Sequence, residues 1–517
     1  MQELTIKNLK NNYEFYLSII STFIVGIFCH GMVLFNKYSI HDDIFAHDLR
    51  YTITSGRFGL KLISVIEMRL LNDFQYSLPV FNGIISLLIL SMVSYFIIKS
   101  LKIKDLFSIV IINSLIVSFP TVTATFGYMF TAHYYFSGLM LGTFGVYLID
   151  LFTTTNNKLY LIPGLFLITS SFSIYQAYIP FIISLFVIIL INYVIHGKNC
   201  DFKLLIKKSI IFITSLVLSF ALYILILKLL MFRGNYTLNN YKGINAMGYN
   251  GIGAYFSRLL YSYKEFVLPN NLRSTFMYPN NLHYLYILIV LLVFIYLLWK
   301  VKYLLSNRNN CSFILLLLII VLPLSINFIY IMVDNSEVHS LMVYAQVYIY
   351  ILFVLILLDV KALVGNNMII KYSCYLFMIL LSYIVLIYGR FNNKCYVKLN
   401  YVQQQALSYF TTLQARIESV KGFDDELPVA FINFDNVSDK YFSGNSYFKD
   451  IHIIPYMDVE DVISNNSNNI RFMEQWLGFK PKILNVTNEL KEVAADMTHY
   501  PDDGSIKVID QKVIVNF

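Results

Sequence analysis

His41, Asp42, Asp43, His47, Asp48 and Arg50 crowd into residues 41–50, with Ser55, Gly56 and Arg57 close behind. If residues 43–54 are helical, Asp43, His47 and Arg50 share one face at i, i+4 and i+7. A carboxylate so placed would accept a proton from an attacking hydroxyl, and Arg50 or Arg57 would neutralise a departing phosphate. Adjacent carboxylates raise one another's pKa, which tunes one of them as a base. A solvated loop of self-balancing charges would present the same residues. His41, Asp42, Asp43 and His47 have the ligand types for a divalent cation, but their spacing matches no metal motif and no cofactor is indicated.

Other polar groups are scattered more thinly. Tyr128, His133, Tyr134 and Tyr135 fall where two apolar segments meet, and Tyr175 and Gln176 fall at another such junction. Tyrosines there are ordinary interface-belt residues, whereas His133 and Gln176 need a reason to sit next to hydrocarbon. Arg258, Lys264 and Arg273 lie in one long connecting segment and could hold a phosphate. Asp334, Glu337 and His339 form a short turn.

The elements that must position these residues are membrane helices. Hydrophobic residues make up 57% of the 517 and charged residues only 14%, far fewer charges than a globular chain carries. The apolar residues come in blocks of about 20, the length that crosses a hydrocarbon core. About eleven spans are expected, at 15–36, 79–99, 106–122, 132–152, 159–175, 178–196, 209–230, 282–300, 312–333, 341–359 and 372–389. The first block is too long for a signal-peptide core and is expected to remain as a span. Lysines and arginines at Lys7, Lys10, Lys99, Lys102, Lys104, Lys198, Lys203, Lys207, Lys208, Lys300, Lys302, Arg308, Lys361 and Lys371 fall on one side of these spans. The positive-inside rule makes that side cytoplasmic, with the N-terminus inside and the tail outside. The same rule accounts for the excess of 39 Lys and Arg over 31 Asp and Glu. No basic run has interleaved aromatics, so nucleic acid is not an expected partner.

The outer segments are then 37–78, 231–281 and the tail from 390. Within the first, Arg57 to Leu71 reads as a helix lying in the membrane interface, with Lys61, Ser64 and Glu67 spaced by three. The chain divides into a transmembrane catalytic domain, 1–389, and a small soluble α/β domain, 390–517. In the latter the pattern predicts a helix near 395–420, strands at 427–434 and 451–455, a helix at 470–477, and a hairpin from 506–510 and 512–517. Cys29, Cys200, Cys311, Cys374 and Cys395 are scattered without CxxC or metal spacing, and no disulfide framework is expected.

This order of features resembles the GT-C class of lipid-linked-sugar transferases, which place an acidic residue directly after the first span. More narrowly it is similar to the GtrII-type serotype-converting glucosyltransferases of bacterial O-antigen. The likeness rests on Asp42-Asp43, Arg50, Gly56-Arg57, the stretch Ser173 to Ala177, and the closing Gly504–Ile509 and Val513–Val515. The resemblance implies an inverting transfer of glucose from undecaprenyl-phosphate-glucose to lipid-linked O-antigen or another surface glycan. It places the protein in the bacterial inner membrane with its C-terminal domain periplasmic. Asp43 would be the first choice of general base and Asp42 the second, with Asp48 and His47 in support. Arg50 and Arg57 would hold the donor phosphate, with Arg258 and Arg273 as further candidates. A polysaccharide polymerase shares the many spans and a large outer loop. A lipid-linked-sugar flippase would place ionisable groups within its spans, which here are nearly free of them.

Overall fold

The computed structural model describes residues 12–38, 42, 52–73, 75–197, 200–239, 252–269, 282–333, 338–364, 367–434, 451 and 466–517. The helices in chain order are α1 (Tyr13–Phe35), α2 (Phe58–Leu71), α3 (Pro79–Leu101), α4 (Leu106–Ser118), α5 (Pro120–Phe126), α6 (Met129–Thr155), α7 (Lys158–Ile174) and α8 (Ile179–His196). There follow α9 (Phe202–Gly234), α10 (Ile252–Val267), α11 (Leu282–Ser306), α12 (Cys311–Ile326), α13 (Ile329–Met332), α14 (Tyr348–Val364) and α15 (Met368–Glu418).

Their ends are written locally. Asp105 caps α4 by accepting from the Ser108 amide at 2.9 Å, and Asp201 caps α9 by accepting from Lys203 at 2.9 Å. Each satisfies an amide that the first turn leaves open. Pro120 has no amide to donate, so α4 stops at Ser118 and α5 restarts after a bend of 44°. Asn72, Lys102, Asn156 and Asn235 close α2, α3, α6 and α9 in the left-handed conformation.

Eight described helices are long and apolar enough to cross a membrane: α1, α3, α6, α9, α11 and α15, with α8 and α14 each extended by a preceding 3-10 turn. The bent pair α4–α5 makes a ninth if counted as one segment, and α7 and α12 are shorter apolar helices. Each of the eleven expected spans falls on one of these. The centre of the bundle is α8, packed on α12 and α14 and buried along most of its length. In contrast α9 turns Ile213, Val217, Leu225, Leu229 and Phe232 outward. A row of that size has no place in water and suits lipid. The molecule is a multi-helix membrane protein.

At the end of the bundle that collects the lysines, buried ion pairs tie helices together. Lys208 of α9 meets Asp150 of α6 at 2.6 Å. Lys300 of α11 reaches Asp359 of α14 at 3.0 Å and the Ile195 carbonyl of α8 at 2.7 Å, and Tyr296 donates to the same carboxylate. The same end holds a disulfide, Cys200–Cys311, with Cα atoms 6.5 Å apart. This corrects the expectation of no disulfide. Sequence spacing cannot show two cysteines brought together by the neighbouring starts of α9 and α12.

Chain contacts group residues 36–46 with 394–517 as a second unit, and α15 passes through residue 390 without a break. This unit contains β1 (Val429–Ile432), α16 (Asn466–Leu477), α17 (Asn488–Ala495), β2 (Ile506–Ile509) and β3 (Lys512–Asn516). The sheet order is β1-β3-β2, with β1 parallel and β2 antiparallel to β3. The β2–β3 turn is Asp510-Gln511, both at positive φ, the twist that a two-residue hairpin needs. Ala430, Ile432, Leu490, Ala494, Met497 and Ile514 form the core. Of the expected strand 451–455, Ile451 is in no strand and the rest lies outside the described residues.

Candidate active site

At the bundle end opposite the lysine pairs, residues 52–57 make a tight turn that α7, α8 and α9 hold from behind. The Gly56 amide donates to Ile53 and the Arg57 amide to Thr52, each at 2.8 Å. Gly56 sits at φ +79°, a conformation that side chains rarely adopt. Gln176, between α7 and α8, donates through Nε2 to the Ser55 carbonyl and to the Tyr223 hydroxyl, both at 3.0 Å. Tyr223 of α9 in turn donates to the Gly56 carbonyl at 3.0 Å and stacks on Phe58. Gln176 and Tyr223 are fully buried, so this is a satisfied polar clamp inside an apolar surround.

The clamp fixes Arg57 at the head of α2. Its guanidinium lies 5.0 Å from the Tyr175 ring centre, and Nη1 is 3.5 Å from the Tyr135 hydroxyl. Tyr135 and Tyr178 each pack edge to face on the Tyr175 ring. The Arg57 Nε is shielded from solvent and has no hydrogen-bond partner, and among the described residues no carboxylate pairs with this side chain. A guanidinium keeps its charge at any ordinary pH. Aromatic faces offset only part of the cost of shielding it, which leaves it complementary to an anion.

Three turns further along α2, Glu67 meets His133 of α6, with Oε2 and Nε2 2.9 Å apart. Burial raises a carboxyl pKa, but the hydrogen bond and charge of His133 outweigh it and hold Glu67 below its usual range. The helix can lie this close because Gly59 faces α7: a Cβ there would come within 2.2 Å of Ser173 Oγ.

Of the residues singled out from sequence, the structure brings together Arg57, Tyr175 and Gln176, and it places His133 against the same helix α2. Arg258 is a buried residue of α10, beside the Tyr255 ring. Asp42 is half-buried and groups with the second unit. Asp43, His47, Asp48, Arg50 and Arg273 lie outside the described residues, as do His41, Asp334 and Glu337. Tyr223 and Gln75 were missed: one is a lone tyrosine in an apolar span and the other a lone glutamine in a loop. Glu67 was read only as part of a polar helix face. Among the described residues no cluster of His, Cys, Asp and Glu could hold a metal ion.

The fold and these groups define a polytopic membrane protein with its anion-seeking and polar side chains gathered at one end of the bundle. A family model described as Glucosyl transferase GtrII matches residues 31–357, well over half of the chain. The chain therefore belongs to the GtrII glucosyl transferase family and is a glycosyltransferase. The match takes in Arg57, Glu67, His133, Gln176 and Tyr223, and it ends before α15. No curated protein and no solved structure matches the chain.

Proposed function

We propose that this protein transfers glucose, with inversion, from undecaprenyl-phosphate-glucose to a bacterial surface glycan such as lipid-linked O-antigen. The reaction would take place on the outer face of the inner membrane, within a GT-C-like domain of eleven spans. The N-terminus would be cytoplasmic, and the second unit would form a periplasmic domain. The observation that carries the reading is Arg57, a half-buried residue whose Nε is shielded from solvent, without a carboxylate partner among the described residues and set against tyrosines at the end of the bundle. A monoalkyl phosphate at the membrane boundary supplies the charge this site lacks.

The acceptor hydroxyl loses its proton to a carboxylate, Asp43 in first place and Asp42 in second, as its oxygen bonds to the anomeric carbon. The bond from that carbon to the phosphate oxygen breaks, and the lipid phosphate departs with the electron pair. Arg57, with Arg50, Arg258 and Arg273, offsets the charge that gathers there. A lipid phosphate is already a good leaving group, so positioning and electrostatics supply most of the acceleration.

The test is transfer of radiolabel from undecaprenyl-phosphate-glucose to extracted surface glycan in membranes carrying wild type, Asp43→Asn or Arg57→Met. Transfer by wild type alone is the expected result. Full activity in Asp42→Asn and Asp43→Asn, each made singly, would remove the carboxylates from the mechanism. No transfer by wild type would overturn the donor or the acceptor.

A further inference from the structure

Three successive carbonyls at the end of α4 are released where Pro120 breaks the helix. Pro120 has no amide to give Ile116, and the Val122 amide turns to Phe119 at 2.9 Å instead of to Ser118. Lipid offers such groups nothing, so they depend on neighbouring side chains. Here each is met by a different element. Tyr344, in the 3-10 turn Tyr344–Val347, donates to the Ile116 carbonyl at 2.7 Å. His30 of α1 donates through Nε2 to the Val117 carbonyl at 2.8 Å, and Asn392 of α15 donates through Nδ2 to Ser118 at 2.8 Å. All three side chains are buried. A carbonyl only accepts, so Nε2 of His30 carries the proton.

Tyr344 and Asn392 bond to the arm before the break, whereas His30 also touches the arm beyond it. Its ring centre is 5.1 Å from that of Phe126, the last residue of α5, edge to face. Phe126 packs edge to face on Phe136 of α6, with centres 5.7 Å apart. Phe136 follows Tyr135, whose hydroxyl is 3.5 Å from Arg57 Nη1. Only Gly127 and Tyr128 join α5 to α6, so the direction in which α5 leaves the break sets where α6 begins.

We propose that His30 is a positioning residue for the transfer reaction. It fixes the break with its ring nitrogen and the far arm with its ring edge. It thereby sets the head of α6 and the tyrosine that meets Arg57. The inference rests on the reading of Arg57 as the cation that holds the donor phosphate.

The experiment measures binding of undecaprenyl phosphate to purified protein in detergent, in a cycle of His30→Leu, Arg57→Lys and the two together. His30→Leu should weaken binding about tenfold when Arg57 is present and about twofold or less in the Arg57→Lys background, because a lysine has no plane for tyrosines to set. His30→Gln keeps a donor for Val117 and should recover part of the loss. If His30→Leu does not accumulate, His30→Phe takes its place, since it keeps the ring and loses only the donor. Asn113→Leu removes another buried bond between α4 and α1, from Asn113 Nδ2 to Ser21 Oγ at 2.8 Å, and should leave binding unchanged. An equal loss from the His30 change in both backgrounds, an equal loss from Asn113→Leu, or no loss at all would overturn the proposal and leave His30 as a structural group. A second measurement needs no ligand. Tyr135→Cys should react severalfold faster with a water-soluble maleimide when His30→Leu is added, and at an unchanged rate when Asn113→Leu is added. If wild type binds no undecaprenyl phosphate, the phosphate role of Arg57 falls, and the labelling rates still decide whether His30 sets the head of α6.

Discussion

At the scale of single residues, the arrangement turns on what a guanidinium can do that an ammonium cannot. Arg57 presents a planar fork between tyrosine rings, and lysine has neither the plane nor the second donor pair. Arg57→Lys should therefore lower the initial rate of transfer by about tenfold, and Arg57→Met by about a hundredfold, at equal protein level in membranes. A lysine variant with full activity would mean that charge alone is enough. Glu67 gives a pH dependence. Its pKa is lowered in the folded protein, so its contribution is present above the ordinary glutamate range and is lost as pH falls through the lowered value. The attachment of α2 to α6 should weaken on acidification, read as faster proteolysis of the 52–78 segment. Glu67→Gln should remove that pH dependence.

At the scale of elements, α2 depends on its contacts to α6 and α7. Gly59→Val forces a side chain into Ser173 and Ile174, so it should abolish transfer while the protein still inserts and accumulates. Tyr223→Phe is gentler. It removes the hydrogen bond to Gly56 and the one from Gln176, a loss of about 1–2 kcal/mol that a thermal-shift measurement would register. The elements themselves were largely legible in the sequence. Apolar blocks marked the helices, the three-residue spacing of Lys61, Ser64 and Glu67 marked α2, and alternation marked the β2–β3 hairpin. Of the site, Arg57, His133, Tyr175 and Gln176 stood out in the sequence one by one, but not how they meet. Arg57 stands out as a cation beside a glycine, but its tyrosine cage comes from two helix junctions and requires the bundle to close. The pairing of Glu67 with His133 joins residues 66 apart in sequence, and no local pattern records it. Gln75 and Tyr223 carry no sequence signal, because one glutamine in a loop and one tyrosine in a span are both ordinary.

At the scale of the whole molecule, the two ends of the bundle are built differently. One end leaves polar atoms open, while at the other the buried charges among the described residues are paired, with Lys208 on Asp150 and Lys300 shared between Asp359 and the Ile195 carbonyl. Paired charges in an apolar surround hold helices in register, but each is costly if its partner goes. Lys300→Met alone should destabilise the bundle by about 3–5 kcal/mol, and Lys300→Met with Asp359→Leu should recover most of that loss. Detergent-resistance curves would show the difference. Equal loss in the single and double variants would mean that the lysine's bond to Ile195 matters more than its partner acid.

The bond between Cys200 and Cys311 ties the chain into a ring that spans 111 positions of sequence. A single cut anywhere within that ring opens a loop without releasing a fragment. If a protease site is inserted between residues 240 and 251 and cleaved in membranes prepared under oxidising conditions, the protein should run at full length on a non-reducing gel and fall into two pieces only after a thiol is added. Two pieces without the thiol would show that the ring is open in the membrane. A closed ring would let the enzyme be severed in that segment and still purify as one molecule.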